Sequence, residues 1–146
     1  MNIRKHADSL FTLLSSKLGE GSLDLDEQGN ALFSLGEILF SAVLAEEAET
    51  LVLSALIGSL PTGPRRGEAL RKLAQANFNW GGTDGGVIGL EEETDLIFLH
   101  RRFLLPLKRP TDFPGQVARQ LTLARHWTGQ LGETAGPALA ASAVRV

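Results

Sequence analysis

The residues whose types and spacing could do chemistry sit in two glycine-bearing loops, three histidines and a few carboxylate runs. Gly58-Ser59-Leu60-Pro61-Thr62-Gly63 lies between a strand pattern and a helix pattern and has the glycine spacing of a phosphate-binding loop. Such a loop next needs Lys and Ser or Thr, for the phosphates and for magnesium. Pro64 and Arg65 stand there instead, and the proline removes an N–H that would face phosphate. The segment therefore reads as a plain loop leading into a helix. Gly81-Gly82-Thr83-Asp84-Gly85-Gly86 has the composition of a cofactor loop, but it follows a helix and precedes a strand, the reverse of the dinucleotide fingerprint. No helix N-terminus follows it to receive an anion, so it reads as a mobile turn.

His6, His100 and His126 fall in separate elements and no pair has metal-ligand spacing, so each is expected at a surface or boundary. The acidic runs Glu46-Glu47-Glu49 and Glu91-Glu92-Glu93-Asp95 fall in turns, where carboxylates are expected to be solvated and to titrate ordinarily rather than as an acid–base pair. Arg65-Arg66, Arg101-Arg102 and Lys108-Arg109 lack interleaved aromatics or a nucleic-acid motif, and are expected as surface charge paired with the acidic turns. There is no G-x-S-x-G elbow. The expectation is a protein that is not an enzyme and needs no cofactor or metal.

The elements that would carry these residues follow from periodicity. Ile3, Ala7, Leu10, Leu14 and Leu18 recur at helical spacing, predicting a helix over 2–18 closed by Gly19 and Gly21. Ala31–Leu35 and Ile38–Leu44, joined by Gly36-Glu37, read as a β-hairpin, and the charged turn 45–49 leads to a third strand over 50–57. Pro64 suits the first turn of a helix over 68–78. Strands over 87–90 and 95–101 form a second hairpin, which 104–107 would extend. Thr111 or Asp112 is positioned to cap a last helix with Pro114 in its first turn and the stripe Phe113, Val117, Leu121, Ala124, Trp127 and Leu131. Strands in blocks broken by single helices give an α+β fold, ordered α-β-β-β-α-β-β-α, with an antiparallel sheet. A single domain is expected over 1–131, with 132–146 as a disordered Ala-rich tail.

Composition narrows the partners. The chain has 146 residues, 43% of them hydrophobic, which suffices for one core. Its apolar runs stop far short of the roughly 18 residues a membrane span needs, so membrane insertion is not expected. A formal net charge of −3 disfavours nucleic acid as a partner, and the absence of cysteine suits a reducing cytoplasm. Three helices are too few to cover both faces of a five-stranded sheet. Uncovered apolar surface points to a protein partner, to self-association, or to a strand edge that accepts an extended peptide.

Several stretches, in order, resemble the class I type III secretion chaperones of the Tir-chaperone (CesT-like) family. They are Leu23-Asp24-Leu25-Asp26-Glu27-Gln28-Gly29 before Leu32-Phe33-Ser34-Leu35, then Leu56-Ile57-Gly58-Ser59-Leu60-Pro61, then Leu70 to Phe78 with its closing Asn77, then Gly86-Val87-Ile88-Gly89-Leu90 and Leu96-Ile97-Phe98-Leu99, and Trp127 on the closing helix. The resemblance implies a cytoplasmic bacterial homodimer that binds the non-globular N-terminal region of a secreted effector without ATP or metal. It further implies that the effector is kept soluble and handed to the secretion machinery, with the secretion ATPase as a further partner. Carried over by position, Leu10, Leu14, Leu32, Phe33, Leu39 and Phe40 are the expected partner contacts. Leu70, Leu73, Asn77, Phe78 and Trp80 are the expected dimer contacts. The alternative within the same fold is a regulator that binds another protein to control secretion-gene expression.

Overall fold

The computed structural model describes residues 1–18 and 23–131. Its elements are α1 (Ile3–Leu18), β1 (Asn30–Leu35), β2 (Ile38–Ala45), β3 (Thr50–Ser59), α2 (Arg66–Ala76), β4 (Val87–Leu90), β5 (Leu96–Leu104) and α3 (Phe113–Trp127), in the expected order. The strands form one antiparallel sheet in the order β1-β2-β3-β5-β4. The second hairpin folds back so that β5 pairs with β3 and β4 takes the edge. The tail from Gly132, and the glycines closing α1, lie outside the described residues.

Strand alternation sorts the side chains into two faces. Phe33, Phe40, Ala55, Leu99 and Ile88 stand side by side in one cross-strand row, and all are buried. Onto this inner face α1 brings Ala7, Leu10, Phe11 and Leu14, and α3 brings Phe113, Val117 and Ala124. Aromatic contacts join the layers. Phe40 stacks on Phe33 (5.6 Å between centroids), Phe33 meets Phe11 edge-on (6.1 Å), Phe11 meets Phe113 (6.0 Å), and Phe113 meets Phe103 (5.2 Å). The chain of rings runs from β2 through β1, α1 and α3 to β5, so two helices and three strands share one apolar seam.

Some boundaries and roles differ from the sequence expectation. Helix α2 begins at Arg66 and stops at Ala76, because Asn79 (φ 53°) and Trp80 (φ 56°) leave the right-handed helical region just beyond it. Strand β5 starts after Asp95, which takes φ 60° and turns its carboxylate to Arg66 (2.8 Å), one of the expected pairs between a basic cluster and an acidic turn. Asp112 stands at the N-cap of α3 but makes no side-chain capping bond. The stripe of α3 contains a buried polar residue, Gln120, that periodicity assigned to no role. Its Nε2 donates to the backbone oxygens of Leu53 and Leu99, both at 3.0 Å, and ties the helix to β3 and β5.

Truncating the middle ring tests the seam. Phe11→Ala is expected to cost about 3–5 kcal/mol of unfolding free energy, the range for a buried Phe truncation. Urea denaturation checks this, and a loss below about 1 kcal/mol would show that the ring contacts do not organise the core.

Candidate partner-binding surfaces

The expected partner contacts divide by face. Leu10, Leu14 and Phe40 have no exposed surface and Phe33 is buried, so these four belong to the core and not to a partner surface. The reason is geometric: Leu10 and Leu14 share the sheet-facing side of α1 with Phe11, while Phe33 and Phe40 pair on the inner face. Leu32 and Leu39 point the other way. Leu32 is 44% exposed and Leu39 is half-buried.

Around Leu32 and Leu39 lies a sheet face that the inner-face packing of α1 and α3 leaves clear. Register places Leu32, Ser41, Ser54, His100 and Val87 in one cross-strand row of this outer face. Leu39 and Leu56 flank the row on one side, and Val43 and Val52 on the other, all four half-buried. Val87 and, at the far end of β5, Leu104 (63% exposed) extend the apolar surface; neither was expected to be a surface contact. Leu104 was legible, since Arg102 and Leu104 keep the parity of an outward-facing strand.

The two sheet edges differ. Leu44 N–H donates to Gly29 O, which sets the ladder phase so that Ala31, Phe33 and Leu35 bond inward to β2. The N–H and C=O groups of Leu32 and Ser34 then point outward from β1. At the other edge Asn77 occupies β4: its Nδ2 donates to Ile88 O and its Oδ1 accepts from Ile88 N–H, each at 2.8 Å. Asn77 thus works within the chain as a substitute strand. Of the other expected dimer contacts, Leu73 packs partly against the core, while Leu70, Phe78 (74% exposed) and Trp80 (62% exposed) stand on the surface. Left-handed backbone at a residue as bulky as Trp80 is uncommon, and here it accompanies an aromatic side chain held in solvent.

The loops and charges that invited chemistry have structural duties. The 81–86 loop is tied down rather than loose. Gly82 O accepts from Trp127 Nε1 (2.7 Å), Thr83 is buried, and Asp84 pairs with Arg119 (2.7 Å). At Gly86 a Cβ would lie 2.5 Å from His100 O, so only glycine allows this approach. Gly58 is part of β3, beside a bulge between Leu56 and Gly58. The turn carboxylates do not all titrate ordinarily: a side-chain bond from Thr94 lowers Glu91, and the Arg66 guanidinium lowers Asp95. Both shifts favour the ionised form, which suits a structural acceptor and not a general acid. His6 Nε2 accepts from Leu107 N–H, and His126 lies edge-on to Trp127. Among the described residues no three His, Cys, Asp or Glu side chains are grouped to hold a metal, and no helix is long and apolar enough to cross a membrane.

The family profile described as the Tir chaperone protein (CesT) family matches residues 9–128. The chain belongs to the CesT family. Solved structures similar to this CesT-family chain include the ExsC–ExsE complex, at 24% identity and a TM-score of 0.74 over 90% of this chain and 98% of that one. The HopA1–SchA chaperone–effector complex is similar at 17% identity and a TM-score of 0.69, over 86% and 94%. The heterodimeric ExoU–SpcU complex of the type III secretion system of Pseudomonas aeruginosa is similar at 14% identity and a TM-score of 0.60, over 83% and 93%. These are likenesses of fold. Among curated proteins none matches.

In this CesT-family sheet one titratable group lies within the outer row. His100 Nδ1 is 2.6 Å from the Ser54 hydroxyl, and its ring stacks on Phe98. Burial pushes its pKa below the ordinary histidine value. The folded state therefore binds this proton more weakly than the unfolded chain does. The stability contributed is whole above the unfolded value of about 6.5 and is lost as pH falls through the lower folded value. Unfolding free energy is expected to fall between pH 7 and 5, and to fall less steeply in His100→Gln. Equal slopes for the two proteins would remove His100 from the account.

Proposed function

We propose that this CesT-family protein is a type III secretion chaperone. It binds the non-globular N-terminal region of a secreted effector in the bacterial cytoplasm, keeps it soluble, and performs no chemistry of its own. The observation that carries the reading is a sheet with α1 and α3 packed on its inner face and, among the described residues, an open β1 edge at Leu32 and Ser34. An extended segment can pair with the outward groups of Leu32 and Ser34 while its side chains meet the outer apolar row. A segment that orders only on binding offsets much of the gain from apolar burial, so wide contact is compatible with release to the secretion ATPase. The chaperone–effector complex among the similar folds supports the same reading.

A second reading keeps the fold shared with the ExsC–ExsE complex and takes as partner a small regulatory protein that controls secretion-gene expression. Affinity purification from the native bacterium under secretion-inducing conditions separates the two. One larger protein held through its N-terminal region is expected, and a small folded protein would favour the regulator. Leu32→Asp places a charge on the outer face without touching the core, and is expected to reduce recovery of the partner at least tenfold with little change in thermal stability. Undiminished recovery would move the binding surface elsewhere.

For the dimer we propose the surface of Leu70, Phe78 and Trp80, where exposed aromatics of this size typically mark an association surface. Analytical ultracentrifugation of the wild type is expected to show a dimer and of Trp80→Asp a folded monomer. A Trp80→Asp dimer as tight as the wild type would exclude this patch.

A further inference from the structure

The β1 edge is held at both ends by arginines from the two core helices. At its start, Arg4 of α1 donates through Nη1 to Asp26 O (2.8 Å) and through Nη2 to Leu25 O (3.0 Å), while its Nε bonds Asp8. Asp26 is itself fastened to the first residue of the strand: its N–H donates to Asn30 O (2.7 Å) and its Oδ1 accepts from Asn30 N–H (2.9 Å). At the other end, Arg125 of α3 grips Glu37 in the β1–β2 turn with two bonds, Nε to Oε1 at 2.7 Å and Nη2 to Oε2 at 3.1 Å. Gly36 makes room for this grip. It takes φ +58° at the first central position of the turn, and a Cβ there would lie 2.6 Å from Arg125 Nη2.

We infer that Arg4 and Arg125 are positioning residues for partner capture, which hold the open edge of β1 in its paired form before a partner arrives and limit the length over which it can pair. The outward groups of Asn30 are already taken by Asp26, and the chain turns away after Leu35. Leu32 and Ser34 therefore remain, offering no more than about four backbone hydrogen bonds. The partner segment that this edge fits is short, extended and free of proline at the paired positions. An edge ordered in advance removes part of the ordering cost of binding, so loosening it shows first as faster release. The Arg125–Glu37 pair is exposed, and exposed pairs act weakly, so the expected effect is about twofold to fivefold rather than all-or-none.

The inference rests on the reading that a partner pairs with β1, and the experiment separates the two. Arg125→Ala, Arg4→Gln and the charge swap Glu37→Arg with Arg125→Glu are compared with wild type by amide hydrogen exchange of the free protein. The second readout is the rate at which the co-purified partner leaves the complex after dilution. The inference expects exchange at Ala31, Phe33 and Leu35 to rise about twofold to fivefold in the single variants, with β3 and β5 unchanged. Release should quicken by a similar factor, and the swap should restore both quantities. Unchanged exchange overturns the clamp, and raised exchange with unchanged release overturns its role in capture. Ser34→Pro, which removes an outward N–H, reports on the underlying reading. Lost capture there keeps the β1 edge as the binding element even if the clamp fails, and intact capture removes the edge itself.

Discussion

The chain of phenylalanine contacts from Phe40 through Phe33, Phe11 and Phe113 to Phe103 is the interaction on which the rest of the structure depends. Each such contact adds about 0.5–1.5 kcal/mol beyond the apolar area it buries. Its larger effect is on arrangement. Because α1 and α3 meet each other through Phe11 and Phe113, and meet the sheet through Phe33 and Phe103, both helices lie on the same side. The opposite face keeps its half-buried Leu and Val side chains, separated by the small residues Ser41 and Ser54.

Polar contacts then decide which borders of this layer stay available. Asn77 satisfies both backbone groups of Ile88 and closes β4 at that point, which removes a template for unwanted pairing. Gln120 reaches from α3 to the backbone of β3 and β5, and Trp127 holds the glycine-rich loop through Gly82. These contacts lie toward the β5–β4 side of the sheet. On the β1 side the polar contacts fall at the ends of the strand, through Asp26 and Glu37, and among the described residues none reaches the outward groups at its middle. The proposed uptake of a strand from another chain fits this asymmetry, with β4 bridged at Ile88 and the middle of β1 presented.

The residues that suggested chemistry in the sequence take part in structural contacts. The glycine-rich loop brings the backbone close to β5 at Gly86, and its Asp84 is held by Arg119. The acidic turn 91–95 uses Glu91 and Asp95 as acceptors for Thr94 and Arg66. The bonds from Thr94 and Arg66 favour the ionised forms of Glu91 and Asp95, which act as structural acceptors.

Periodicity by itself determined the order of helices and strands, the tight turn at Gly36-Glu37, and the apolar character of nearly every core position. These depend on neighbours in the chain, where spacings of two and of three or four residues have a direct geometric meaning. The family was legible too, through the order of its short stretches. Periodicity could not tell Leu32 from Phe33, or Leu39 from Phe40, as partner contacts. All four are large and apolar, and which parity faces inward is settled only when α1 and α3 choose a side of the sheet. The family resemblance placed Asn77 among the dimer contacts, and its bridge to Ile88 leaves no trace in local spacing. The pairings of Arg4 with the loop before β1 and of Arg125 with Glu37 belong to the same class. Arg125 and Glu37 lie 88 residues apart, and only the tertiary fold, by laying α3 beside the first hairpin, brings opposite charges within reach.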